Sequence, residues 1–196
     1  MAPPRNTRRR NALADAAIEV LGTSGIHKLS HRAVDEHADL PTGTAANYFP
    51  RRDDLLAAAA ERVAELHMTE MAAADRAAPP RDAAGPELLA ELIGVSLYDA
   101  ATRHRIRYLA AYELALESTR QPALAVAMAR LGGGAMETTI AEHRALGLTT
   151  APAQVQELIA LYNGTLLTLV VAPAGSVTPE ATLALARSLV AGVLRT

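Results

Sequence analysis

An all-α fold is the architecture that this 196-residue sequence predicts, with a small N-terminal head followed by a larger helical portion. Three observations lead to it. Apolar residues recur at helical spacing almost throughout. No run of alternating or β-branched residues bounded by turn formers is found. Prolines 86, 122, 152 and 179 each stand at the front of a helical pattern, where the missing N–H does no harm and the fixed φ suits a first turn. Half the residues are hydrophobic, which is enough for a sizeable core at this length.

The elements follow in order. Leu13, Ala16, Ala17, Val20 and Leu21 fall on one face of a first helix, which Gly22 to Gly25 should stop. Ser30 sits where an N-cap belongs, ahead of a short helix that turns Ala33 and Val34 inward and ends near Ala38. A third helix is expected from about Pro41 to Tyr48. A fourth runs from about Arg51 to Arg76, its first turn carrying Asp53 and Asp54 where the helix dipole favours carboxylates. The segment AAPPRDAAGP at 77–86 is the best linker candidate. The expected organisation is therefore a head at 1–50, a connecting helix at about 51–76, and a second domain at 77–196. Further helices should start at Pro86, His104, Pro122, Pro152 and Pro179. Gly132, Gly133 and Gly134 predict a break or bend, because each glycine costs a helix interior ~1 kcal/mol relative to alanine.

Composition narrows the function classes. The chain has no cysteine, which removes disulfides, thiolate chemistry and cysteine-based metal sites and fits a reducing compartment; a cytoplasmic location is expected. The arginine-rich start lacks an apolar signal core, and the most apolar stretch, Leu158 to Ala172, is too short and too interrupted by Asn163 and threonines to span a bilayer, so no membrane partner is expected. Net charge is −2, but residues 1–52 hold 8 Arg/Lys against 5 Asp/Glu, so the basic excess lies at the front. No phosphate-binding glycine loop, nucleophile arrangement or paired Glu-x-x-His motif is present. His67 and Glu70 share metal-compatible spacing but stand alone, and His67 is expected at the surface. No enzymatic activity, cofactor or metal is expected.

Two short helices joined by a tight turn, Ser30 to Ala38 and Pro41 to Tyr48, form a helix-turn-helix pattern. The second helix carries small side chains, which would let its backbone approach base edges and phosphates in a major groove. Thr42, Gly43 and Thr44 would then offer hydroxyls and free backbone N–H groups to phosphate oxygens. Small residues equally permit tight packing inside a protein, and this segment alone leaves both readings open.

From Asn11 to Leu56 the order of features resembles the N-terminal domain of the tetracycline-repressor (TetR) family: ALADAAIEVLGTSGIHKLSHRAVDEHADL, then PTGTAANYF, then RRDDLL. The resemblance implies a double-stranded DNA operator as partner and assigns residues to it. Arg32, on the second helix, falls where family members reach a base, and arginine can bond guanine O6 and N7 in bidentate fashion. Thr42, Gly43 and Thr44 fall on the start of the recognition helix, Asn47 and Tyr48 on its DNA-facing end, and Arg52 on a position where a basic residue contacts phosphate. Arg8, Arg9 and Arg10 could reach the backbone from the N-terminal arm. Ala46 departs from the family's frequent aromatic, and Asp39 stands where glycine is usual; aspartate is among the side chains that best tolerate the left-handed region. Phe49, the only phenylalanine, is expected to pin the short helices to the core.

Val155, Leu158, Ile159, Leu161, Tyr162, Leu166, Leu167, Leu169 and Val170 cover more than one face of their helix, more than one intramolecular core needs. Leu183, Leu185, Leu189, Val190, Val193 and Leu194 supply a second apolar helix. Together they predict a homodimer through the last two helices, matching a palindromic operator. Tyr98, Tyr108, Tyr112, Glu113, Met128 and Tyr162 combine apolar bodies with polar tips, a mixture suited to a small-molecule pocket. The resulting expectation is a transcriptional regulator, a repressor released from its operator by an unidentified effector. The alternatives are an architectural DNA-binding protein without an effector and, third, an all-α enzyme.

Overall fold

The computed structural model describes the backbone of residues 4–77 and 85–194 and the side chains of 7–70, 85–129 and 136–194. The described residues form helices and connecting turns, with no strand among them. In chain order the helices are α1 (Pro4–Ser24), α2 (His31–His37), α3 (Thr44–Tyr48), α4 (Arg52–Ala77), α5 (Pro86–Ala101), α6 (Arg105–Ser118), α7 (Pro122–Ala145), α8 (Pro152–Val171) and α9 (Pro179–Val193), with a 3₁₀ turn at Ile26–Lys28. The middle of the proline-rich 77–86 stretch lies outside the described residues.

By packing, the helices divide into two units: α1 to α4 with α6 and α7 as far as Leu131, and α5 with the remainder of α7, α8 and α9. The core of the first unit contains the predicted α1 face, Leu13, Ala16, Ala17, Val20 and Leu21, together with Val34, Phe49, Leu55 and Leu56. Ala110 and Leu114 of α6 and Leu124 of α7, distant in sequence, complete it. In the second unit, Leu88, Leu89 and Ala90 of α5 pack with Leu158 of α8 and Val190 and Val193 of α9. Gly94 lets α5 and α9 approach closely there, since a methyl group at that position would stand 3.0 Å from Leu183 Cα.

Some expected boundaries hold and others shift, for identifiable reasons. Helix α1 ends within the expected Gly22–Gly25 stretch, at Ser24, followed by Gly25 at φ 79°. Gly22 is instead a crossing point, with the backbone of Ile106 in α6 lying against its bare face. Helix α3 begins at Thr44 rather than near Pro41, because Gly43 takes a left-handed conformation at φ 93°. Through Gly132 to Gly134 the backbone stays helical, so α7 is uninterrupted from Pro122 to Ala145 where a break was expected. The proline starts at 86, 122, 152 and 179 all match helix starts. Thr178 caps the last of these, its hydroxyl accepting the Ala181 N–H at 3.3 Å.

Candidate nucleic-acid interface

The helix-turn-helix is built from local rules. Ser30, extended at φ −148°, accepts the Ala33 N–H on its Oγ at 3.1 Å and so starts α2, a cap worth roughly 1 kcal/mol. Asp39 adopts φ 52°, the left-handed conformation expected of it, and the Leu40 N–H returns to Asp35 O at 3.0 Å to close the turn. Helix α3 then turns Ala45, fully buried, and Phe49, 1% exposed, into the core. Thr42, Ala46 and Asn47 face solvent, and Gly43, Thr44 and Tyr48 are partly covered. The segment is therefore not walled inside the molecule.

The most informative contact comes from a residue that sequence reasoning did not single out. Asp35 on α2 is 1% exposed, and its carboxylate accepts the Gly43 N–H at 2.7 Å and the Ala45 N–H at 2.6 Å. Thr44 N–H bonds Pro41 O at 3.1 Å, and the Thr44 hydroxyl donates to the same oxygen at 2.5 Å. The Gly43 and Thr44 N–H groups, two of those expected to be free for phosphate, are thus engaged within the protein. An acidic residue directly after the inward pair Ala33 and Val34 was the available signal. At the other end of α3, His31 Nε2 donates to Phe49 O at 2.6 Å.

The basic residues divide by environment. Arg32 is exposed at the side chain and, among the described residues, paired with exposed Glu36 one turn on, at 2.8 Å; that carboxylate raises its pKa further. Arg51 is likewise exposed, paired with Asp54, whose carboxyl it holds below the usual carboxylate range. Arg52, by contrast, reaches across the head and donates to Ile26 O at 2.7 Å and Leu29 O at 3.5 Å, so a phosphate contact would compete with these bonds. Arg10 stacks over the Phe49 ring, 4.8 Å from its centroid, and lies 3.6 Å from Glu61, while Arg8 and Arg9 are exposed.

The candidate ligand residues are distributed over both units. In the first, Tyr108 and Tyr112 sit one turn apart on α6, and burial raises both phenols, Tyr112 to about 12. Glu113 accepts the Ile26 N–H at 3.1 Å, and Met128 packs against the first core. In the second unit Tyr98 is half-buried on α5, and Tyr162 shares a 2.8 Å hydrogen bond with Ser96. His67 is not at the surface as expected. It is largely buried, shares a 3.0 Å hydrogen bond with the Tyr108 hydroxyl, and is held below the ordinary histidine pKa first by burial and then by nearby Arg107. Glu70, its partner in the metal-like spacing, instead forms a two-pronged ion pair with Arg107, whose side chain is 8% exposed. Among the described residues no group of three or more metal-ligating side chains occurs, and no helix is long and apolar enough to cross a membrane.

Helices α8 and α9 also carry apolar side chains outward. Leu161, Leu167 and Val171 on α8 and Leu185 on α9 are 40–60% exposed. A methyl group added at Gly164 or Gly192 would meet nothing within 4 Å.

Comparison with known proteins places these features. Residues 84–196 match the tetracyclin repressor-like C-terminal domain. No curated protein matches the chain. Among solved structures, the multidrug binding protein EbrR complexed with ethidium is similar at 29% identity and a TM-score of 0.68, covering 96% of this chain and 99% of its own. A TetR-family member from Streptomyces coelicolor A3 is similar at 28% identity and a TM-score of 0.72, covering 99% of this chain and 100% of its own. A transcriptional regulator from Rhodococcus sp. Rha1, at 19% identity and a TM-score of 0.73 over 95% of this chain and 96% of its own, shares the fold.

Proposed function

The chain belongs to the TetR family of transcriptional regulators, and from that premise we propose that it is a homodimeric repressor released from a palindromic operator by a small-molecule effector. The observation that carries the reading is the mounting of α3: a five-residue helix whose inner side is buried and which, with the turn leading into it, presents Thr42, Ala46 and Asn47 outward with no bulky side chain among them. Such a helix can lie deep in a major groove. Asn47 reads an adenine edge, Arg32 a guanine edge once it exchanges Glu36 for the base, and Thr42 and Tyr48 hold phosphates. Gly43 and Thr44 form the close-approaching start of the helix. Arg52 acts from behind by holding the carbonyls of Ile26 and Leu29.

The outward apolar faces of α8 and α9 support pairing of two copies, with Gly164 and Gly192 permitting close approach. A two-fold dimer presents its α3 helices to half-sites about 34 Å apart, one helical turn of DNA, or near a multiple of that distance. Release is a matter of linkage. An effector that prefers the dimer with displaced α3 helices lowers DNA affinity, and DNA lowers effector affinity by the same factor. The side chains of Tyr98, Tyr108, Tyr112, Glu113, Met128 and Tyr162 are the first positions at which to look for effector contact.

Selection of bound duplexes from a random pool tests the reading directly, followed by release assays with ethidium, proflavin and malachite green, the compounds named with EbrR. A palindromic consensus is expected, along with dimer mass by sedimentation at micromolar concentration. Equal binding of all DNA with a steep salt slope would replace the repressor with an architectural protein.

A further inference from the structure

We propose that His31 and Asp35 form a two-point clamp by which α2 sets α3 for sequence reading, with Asp35 the positioning residue that makes discrimination depend on side chains rather than backbone amides. The proposal rests on α3 being the reading helix. Three observations carry it.

Helix α3 has only five residues, too few to hold its own shape, since helix nucleation is unfavourable until several turns exist. Its setting must come from outside. His31 and Asp35 stand one turn apart on α2, so they share a face, and each bonds a different end of α3: Asp35 the Gly43 and Ala45 N–H groups, His31 the Phe49 carbonyl.

The second observation is the burial of Asp35. A carboxylate 1% exposed survives only where its charge is answered, and among the described residues no Arg, Lys or His forms an ion pair with it. The answering groups are the two amides, through short charge-assisted bonds whose geometry admits little rotation. The third is that the amides of 43, 44 and 45 are all engaged internally, the middle one by Pro41 O. Phosphate cannot use them unless the clamp opens. The first turn of α3 therefore contributes shape, and Thr42 and Asn47 contribute recognition.

The test uses full-length protein and two duplexes, the consensus selected by the wild type and a scrambled version. Asp35→Asn keeps the side-chain shape but replaces one acceptor by a donor facing an N–H. Its expected effect is a loss of consensus-over-scrambled preference by about tenfold or more, with fast amide exchange appearing at Gly43 and Ala45. Val34→Ala, a cavity in the same helix that leaves the clamp alone, should lower thermal stability and keep the preference. Preference retained by Asp35→Asn, or lost equally in Val34→Ala, overturns the clamp. If Asp35→Asn does not fold, the wild-type protein decides: rapid exchange at Gly43 and Ala45 would overturn it, and protection would uphold it. A separate variant tests the underlying reading, because Asn47→Ala with undiminished preference would remove α3 as the reading helix and the clamp with it.

Discussion

Gly22→Ala is the perturbation whose outcome the structure specifies most closely. An ideal Cβ at Gly22 would stand 2.2 Å from Ile106 O, 2.6 Å from Ile106 Cγ2 and 2.9 Å from Ile106 C. Ordinary contact begins near 3.4 Å, so the crossing of α1 and α6 must open by about 1.2 Å. The Ile106 side chain can rotate away, but its carbonyl moves only with α6, and Ala110 and Leu114 on that helix are fully buried in the shared core. With backbone as the closest atom, overpacking falls in the upper part of its usual range, about 2–3 kcal/mol, offset by ~1 kcal/mol from alanine's better helix propensity. A net loss of about 1–2 kcal/mol corresponds to a Tm fall of roughly 2–8 °C for a chain of this length. Thermal unfolding followed by circular dichroism or calorimetry reads it. Because the closest atom is backbone, adding Ile106→Ala should not restore stability. A Tm at or above that of the wild type, or full rescue by Ile106→Ala, would refute the reasoning.

Four other outcomes are expected. Glu70→Ala should destabilise by about 3–5 kcal/mol in denaturant melts, because it leaves the Arg107 guanidinium buried without its carboxylate. Arg107→Met should lose less, since the Glu70 left behind is 40% exposed and water can reach it; equal losses would contradict the asymmetry. Arg52→Ala should lower stability by about 1–2 kcal/mol through loss of the bonds to Ile26 O and Leu29 O, while the salt slope of DNA binding stays unchanged; a slope smaller by about one would instead mark a phosphate contact. Burial holds His67 and His143 below the ordinary histidine pKa of about 6.5, so on acidification the unfolded chain takes up protons before the native protein does. The stability these neutral histidines contribute is therefore complete above about pH 6.5 and is lost as pH falls through that value toward their folded pKa. Asp54 and Glu117, held low by Arg51 and Arg120, act only below about pH 4.5. A Tm that does not change between pH 8 and 5.5, or a slope that survives His67→Gln with His143→Gln, would refute the assignment.

How much of this was legible in the sequence depended on the range of the interaction involved. The α1 face, the Ser30 cap and the proline starts are set by neighbours within one turn, and each is present in the structure. Asp39 in the left-handed region was readable for the same reason. Gly22 was not, because a glycine near a helix end signals a stop, and only the arrival of α6, more than eighty residues later, turns it into a crossing point. His67 and Glu70 show the same limit: their spacing suggests a metal, while Tyr108 and Arg107 supply the partners that a local pattern cannot reveal. At the candidate interface the exposed threonine and asparagine were visible, and Asp35 was missed because its role depends on amides eight and ten residues away.

The outward side of α8 has a consequence for how the molecule should be handled. From Leu158 to Val171 it contains no Asp, Glu, Lys, Arg or His, so ionic strength has no grip on whatever adheres to that seam, and concentrated salt would tighten it if anything. Arginines at the opposite end of the chain answer to salt in the contrary sense. In the proposed dimer, washing the protein from a nucleic-acid column with brine should therefore elute the two copies still joined.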